Sequence, residues 1–162
     1  MMILNCVVPV GLPASGKSYL HKLLYSNMLR ISADDIRFGI LNYPESGIDY
    51  DESIEPTVWK IVWNKVDEAV KNKESFYFDT TNISLQRRKD LYSRLTNDYT
   101  VSVKVLKVSV VDCIIIDTQR KRTVGSEVII KIDEMYDKPT LVELSKFDSS
   151  SIEYITPKWM EK

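Results

Sequence analysis

Apolar and polar positions along this chain switch repeatedly between two periods, and each switch predicts a strand or a helix. Residues 3 to 10, Ile-Leu-Asn-Cys-Val-Val-Pro-Val, form an apolar run fit for a buried strand. Tyr19-Leu20, Leu23-Leu24 and Met28 then follow at helical spacing. Leu29–Ser32 reads as a short second strand. Ala33–Phe38 opens a short helix with Asp34 and Asp35 in its first turn, where the helix dipole favours carboxylates. Residues 42–56 are polar and carry Glu45, Asp49, Asp51, Glu52 and Glu55 without a basic side chain, which predicts a solvated loop. Pro56 suits the first position of the next helix, in which Trp59, Val62, Trp63, Val66, Ala69 and Val70 make a core stripe. Both tryptophans are therefore expected to pack rather than to stack on bases.

Phe76–Asp79 is a short aromatic strand ending in an acid, followed by the polar loop Thr80-Thr81-Asn82. Ser84 caps a helix expected to run to about Leu95. Val101–Val105 alternates strictly and Leu106–Val111 continues apolar, which predicts one strand over 101–111. Residues 112–122 look helical and end in Arg120-Lys121-Arg122, and Gly125 separates them from a helix carrying Val128, Ile129, Ile132 and Met135-Tyr136. In the tail from Asp137, 141–144 and 152–155 are short candidate strands. Strands alternating with helices predict an α/β fold, a parallel sheet with helices on both faces. Ligands bind at the carboxyl ends of strands in such sheets. Gly11–Ser18, Asp34–Arg37 and Asp79–Asn82 each follow a strand, so they are expected on one rim.

Length and composition narrow the class further. The chain has 162 residues, expected to form one domain over 1–162. It is 44% apolar and 28% charged, ordinary values for a globular protein, and no apolar run is long enough to span a membrane. The N-terminus lacks the pattern of a secretory signal, so a cytoplasmic location is expected. Cys6 and Cys113 are expected to be buried free thiols. His21 is the only histidine, expected at a partly exposed helix position; with two scattered cysteines it cannot make a zinc site. Net charge is −1, so any nucleic-acid contact must come from a local basic patch.

Gly11-Leu-Pro13-Ala14-Ser15-Gly16-Lys17-Ser18 fills every specified position of the phosphate-binding pattern G-x-x-x-x-G-K-[ST]. The glycines let backbone N–H groups turn inward toward phosphate oxygens. Lys17 can reach the β and γ phosphates, and the Ser18 hydroxyl can ligate Mg²⁺. A helix starting near Lys17 adds its N-terminal dipole to the site. Phosphoryl transfer also needs a positioned acceptor and a base. Asp34 or Asp35 can take a proton from an alcohol, and Arg37, three residues after Asp34, can hold an acceptor phosphate or pair with Asp34. Asp79 suits an outer-shell Mg²⁺ acid or an acceptor-positioning group. Arg120 and Arg122, before Gly125, suit a lid (about 112–126) that closes over the phosphates, and Arg87-Arg88-Lys89 is a candidate patch for an acceptor backbone.

These motifs, Gly11-x-Pro-x-Ser-Gly16-Lys17-Ser18, Ser32-Ala-Asp34-Asp35-Ile-Arg37, Asp79-Thr-Thr81-Asn82 with Arg87-Arg88 after it, and a basic lid before Met135-Tyr136, resemble the P-loop kinases related to the 5′-kinase domain of phage polynucleotide kinase. The likeness spans residues 3 to about 136. It implies a P-loop kinase fold with a helical lid, ATP and Mg²⁺ as cofactors, and a DNA or RNA 5′-hydroxyl as acceptor. It also implies Asp34 as the general base, Arg37 on the acceptor's 3′-phosphate, and Arg122 as a lid arginine. Thr81 and Asn82 belong to the implied acceptor side. The family's earlier lid arginine falls near Thr118, so Arg120 must stand in for it. Ala14 replaces a frequent glycine, and the tail over 137–162 matches nothing in the family. The wider group also phosphorylates nucleosides, modified DNA bases and other small alcohols. A nucleotide-dependent switch that only remodels a partner surface is the non-enzymatic alternative, which the acids after the second strand argue against.

Overall fold

Five parallel strands carry the polar loops of the chain to one rim. The computed structural model describes residues 2–41 and 52–158, so the part of the expected polar loop over 42–51 lies outside the described residues. The chain enters as β1 (Leu4–Val10), α1 (Lys17–Leu24), β2 (Leu29–Ser32) and α2 (Ala33–Leu41). After a 3₁₀ turn at Glu52–Ile54 it continues as α3 (Glu55–Lys71), β3 (Phe76–Asp79), α4 (Leu85–Arg94) and β4 (Tyr99–Leu106). It closes with α5 (Val110–Thr118), α6 (Ser126–Glu134), a 3₁₀ turn at Leu141–Leu144, and β5 (Ser150–Ile155). Strand order is β2-β3-β1-β4-β5, with every pair parallel. β1 therefore lies between strands on both sides, β2 and β3 on one and β4 and β5 on the other, and the crevice at its carboxyl end is where such sheets bind ligands.

Alternation along each strand sorts side chains to the two faces. Leu4, Cys6, Val8 and Val10 of β1 join one buried cluster with Val58, Val62, Val66 and Ala69 of α3 and Leu91 of α4. Trp63 stacks on Phe78 at 5.6 Å, so the α3 tryptophans pack as their spacing predicts. On the other face Tyr77 lies under α1, 5.1 Å from the His21 ring, and its hydroxyl donates to the Lys17 carbonyl at 2.6 Å. Cys6 and Cys113 are buried free thiols. Among the described residues no helix is long and apolar enough to cross a membrane.

Three expectations are corrected. α1 ends at Leu24, where Ser26-Asn27 turns the chain, so Met28 is not on it; Tyr19, Leu23 and Leu24 are exposed and only Leu20 of its apolar residues is buried. β4 stops at Leu106 rather than 111, because the Ser109 hydroxyl accepts from the Asp112 amide at 3.0 Å and caps α5. Residues 141–144 form a 3₁₀ turn rather than a strand, while the second tail segment does become β5, along the outer edge of β4.

The tail is tied back by a buried ion pair. Arg88 is fully buried and donates to Glu143 (2.9 Å), to the carbonyls of Asn82 and Ile83 (2.9 Å each) and to that of Asp137 (2.8 Å). Glu143→Ala should destabilise the protein by about 3–5 kcal/mol, because it leaves a buried guanidinium without its carboxylate. Chemical denaturation checks this. A loss under about 1 kcal/mol, the range of an exposed pair, would mean that Glu143 does not anchor the tail.

Candidate active site

The loop between β1 and α1 is shaped for a phosphate chain. Gly16 has φ 100°, the left-handed region that glycine enters at little cost, and Ala14 adopts φ 68°, a conformation that costs a residue with Cβ about 1–2 kcal/mol. At Gly11 the constraint is space: a Cβ there would come within 2.4 Å of Ser15 Oγ. That hydroxyl is buried with no hydrogen-bond partner among the described residues. An unpaired hydroxyl inside a glycine-lined loop fits a ligand that brings oxygen acceptors, as a triphosphate does. Lys17 lies folded into the same loop, with Nζ donating to the carbonyls of Gly11 (2.9 Å) and Leu12 (2.7 Å). Burial pushes its ammonium below the usual lysine range, while the charges of Asp79 and Asp34 pull the other way.

β3 and the loop after it fix the start of this cradle. The Gly11 amide donates to the Thr81 carbonyl at 3.0 Å. Asn82, at φ 52°, gives its side-chain amide to the carbonyls of Pro9 (2.8 Å), Phe78 (3.0 Å) and Thr80 (3.1 Å), and its Oδ1 accepts from the Thr80 hydroxyl. Asp79 ends β3 next to α1 and accepts from the Ser18 hydroxyl at 2.9 Å. A hydroxyl and a carboxylate this close are a fitting pair for Mg²⁺, which takes one or two protein oxygens and fills its shell with phosphate and water. Arg30 of β2 joins them, with Nε on Asp79 at 2.8 Å and Nη1 on Asp35 at 2.6 Å.

Helix α2 carries the expected base and arginine in its first turns. Asp34 and Arg37, one helical turn apart, pair at 2.7 Å. Arg37 also grips Glu55 of α3 through two nitrogens, at 2.6 and 3.0 Å, and Glu55 in turn accepts from the Trp59 indole at 3.0 Å. The Arg87 guanidinium lies 3.2 Å from the centroid of the Trp59 ring, extending this polar row to α4. α2 follows the carboxyl end of β2 and therefore starts at the same end of the parallel sheet as the phosphate loop.

Between α5 and α6 the basic segment is wound around one carboxylate. Asp117 is buried and accepts from the amides of Val124 (3.0 Å) and Gly125 (2.9 Å) and from Arg120 at 2.5 Å. Burial raises its carboxyl, but the Gly125 and Val124 amides and Arg120 outweigh that and hold it below the usual carboxylate range. Arg120 is thus held against the end of α5, while Arg122 lies 3.5 Å over the Phe38 ring of α2.

The structure joins Ser18 directly to Asp79 and Arg37 to Asp34, and it seats Arg87 on Trp59 and Arg122 on Phe38. Two expected acceptor residues are corrected. Arg88 is a buried strut whose donors are spent on Glu143 and carbonyls, and Asn82 is a buried clip between the ends of β1 and β3. Arg30, Glu55 and Asp117 were not singled out by any motif. Only strand alternation in Leu29-Arg30-Ile31-Ser32 hints at Arg30, by putting it on the face opposite buried Ile31.

A phosphate loop after the central strand of a parallel sheet, with acids from β3 and α2 beside it, defines a P-loop kinase fold. The chain belongs to the AAA domain family, whose model matches residues 7–135. No curated protein matches it in sequence. Among solved structures, a chain of the Pnkp1/Rnl/Hen1 RNA repair complex is similar at TM-score 0.63 and 24% identity, over 91% of this chain and 47% of that one. A gluconokinase from Sinorhizobium meliloti 1021 is similar at TM-score 0.59 and 13% identity, over 97% of this chain and 86% of that one. A fungal RNA kinase is similar at TM-score 0.55 and 12% identity, over 97% and 40%. The chain spans less than half the length of the Pnkp1/Rnl/Hen1 chains it matches.

Proposed function

We propose that the protein is an ATP- and Mg²⁺-dependent kinase whose acceptor is the 5′-hydroxyl of a DNA or RNA end. The observation that carries this reading is Asp34 in the first turn of α2, directly after β2 and so at the same end of the parallel sheet as the phosphate loop, with one of its oxygens held by Arg37 at 2.7 Å. Lys17 and the loop amides hold the triphosphate. Ser18 and Asp79 would hold Mg²⁺, which when bound neutralises charge on the β and γ phosphates. Asp34 takes the proton of the acceptor hydroxyl. The acceptor oxygen bonds to the γ phosphorus as that phosphorus parts from the β–γ bridging oxygen, leaving ADP. Arg120 and Arg122 close on the transferred charge, Arg37 holds the phosphate next to the reacting hydroxyl, and Thr81 and Arg87 line its approach. Similarity in fold to an RNA repair complex and a fungal RNA kinase supports a nucleic-acid end as acceptor.

One observation favours a second reading. Arg37 already grips Glu55 through two nitrogens and Asp34 through the third, so an acceptor phosphate would share the guanidinium with two carboxylates. A small alcohol without phosphate meets no such competition, and a gluconokinase shares the fold. The deciding measurement is kcat/KM for a nucleoside, its 3′-monophosphate and a short oligonucleotide, with wild type and Arg37→Ala. A charge-assisted contact to the phosphate is worth about 1.5–3 kcal/mol, so the 3′-monophosphate should exceed the nucleoside by roughly ten- to a hundredfold and Arg37→Ala should erase most of the gap. Equal values in the wild type select the small-alcohol kinase. ATP bound without transfer to any acceptor selects the switch.

A further inference from the structure

The carboxyl end of β3 holds a guanidinium among the very oxygens that a divalent cation would need. Arg30 and Ser32 lie on one face of β2, opposite Tyr77 and Asp79 of β3, and α1 covers that face through the bond from Tyr77 to Lys17. Arg30 therefore reaches beneath the start of α1. Each of its nitrogens is engaged: Nε donates to Asp79 Oδ2 at 2.8 Å, Nη2 to Ser18 Oγ at 3.1 Å, and Nη1 to Asp35 Oδ2 at 2.6 Å. Asp79 Oδ2 also accepts from the Ser18 hydroxyl at 2.9 Å. Ser18 thus spends its proton on Asp79 and a lone pair on Arg30. A cation bound by Ser18 Oγ and Asp79 Oδ2 needs the same lone pairs, and it would meet a positive charge a bond-length away.

We propose that Arg30 is a positioning residue that occupies the cation seat and gives it up only to a cation carried by nucleotide phosphates. The inference rests on the reading that Ser18 and Asp79 hold the metal, and is independent of the acceptor. Arg30 keeps Asp79, Asp35 and Ser18 converged while nothing else binds them. A bare divalent ion gains two protein oxygens but must expel the guanidinium. The same ion on a triphosphate brings further oxygen ligands and the contacts of the loop, which tip the exchange. Metal and nucleotide then bind as one unit, and Asp35 remains as the partner on which the displaced guanidinium swings.

The test uses Mn²⁺ as probe, read by its electron paramagnetic resonance signal, on the whole chain without nucleotide. Arg30→Met should bind Mn²⁺ about tenfold or more tighter than wild type, since it removes a cation from the seat. Arg30→Lys should fall between wild type and Arg30→Met, because it keeps the charge but not the forked bonds. Arg30→Met should also gain thermal stability from Mn²⁺ where wild type does not. Equal Mn²⁺ affinity in a folded Arg30→Met protein would overturn the proposal. A second measurement needs no such variant: the Arg30 Nε–H resonance of wild type, assigned by its loss in Arg30→Lys, should become exposed to exchange when Mg²⁺ and a non-hydrolysable ATP analogue are added. A resonance that stays protected while the analogue binds overturns the displacement and leaves the metal site standing. An analogue that does not bind at all removes both.

Discussion

Replacing Lys17 with alanine is expected to leave a folded protein whose phosphoryl transfer falls by about 10² or more, some 2.7 kcal/mol of transition-state stabilisation. The fold should survive because the ammonium contributes little to it: among the described residues it donates to the Gly11 and Leu12 carbonyls, and burial already works against its charge. Chemistry should not survive. Lys17 is the motif's one charged side chain toward the β and γ phosphates, and charge that builds on the transferring group would lose a partner held in place beforehand. Transfer is measured with labelled ATP, and folding by circular dichroism. A Lys17→Ala protein with near wild-type turnover would overturn the kinase reading.

The second large effect separates two adjacent carboxylates. Asp34→Asn should lower kcat by about 10²–10⁴, the usual weight of a general base, with KM for the acceptor little changed. Asp35 makes a different bond: it holds Arg30, and through Arg30 it reaches Asp79 and Ser18. Asp35→Asn should therefore act on the metal dependence of the reaction rather than on its limiting rate. Titrating Mg²⁺ for each variant at saturating ATP and acceptor tells the two roles apart. An inactive Asp35→Asn beside a normal Asp34→Asn would exchange the assignments.

The phosphate loop and the α3 stripe were legible in the sequence because each is a local pattern. A loop that turns on Gly11 and Gly16 needs no distant partner to be recognised, and Val62, Val66 and Ala69 repeat with the helix that buries them. Arg88 defeated the same method. In sequence it is one of three successive bases on a helix, which reads as an exposed patch for an acceptor backbone, but its carboxylate lies 55 residues away at Glu143. Arg30 and Glu55 were missed for that reason too, since their partners come from other elements. The strand predicted through 111 failed for a local reason. Val108, Val110 and Val111 prolong the apolar run, yet Ser109 supplies a cap, and one satisfied amide at a helix start outweighed strand propensity.

The returning tail bears on where this protein can be cut. The family match ends at residue 135, before the segment that finishes the sheet. A chain shortened to that point loses β5, and with it the bonds from the Val101 amide to Ser149 and from the Lys107 amide to Ile155. It also loses Lys146, whose ammonium covers the carbonyls of Tyr92 and Leu95 at the end of α4. β4 would become a bare sheet edge eight residues long, an invitation to pair with a neighbouring molecule. The segment marked by family likeness is thus shorter than the unit that folds, and a shortened version made for expression has to run through Ile155 or be expected to aggregate.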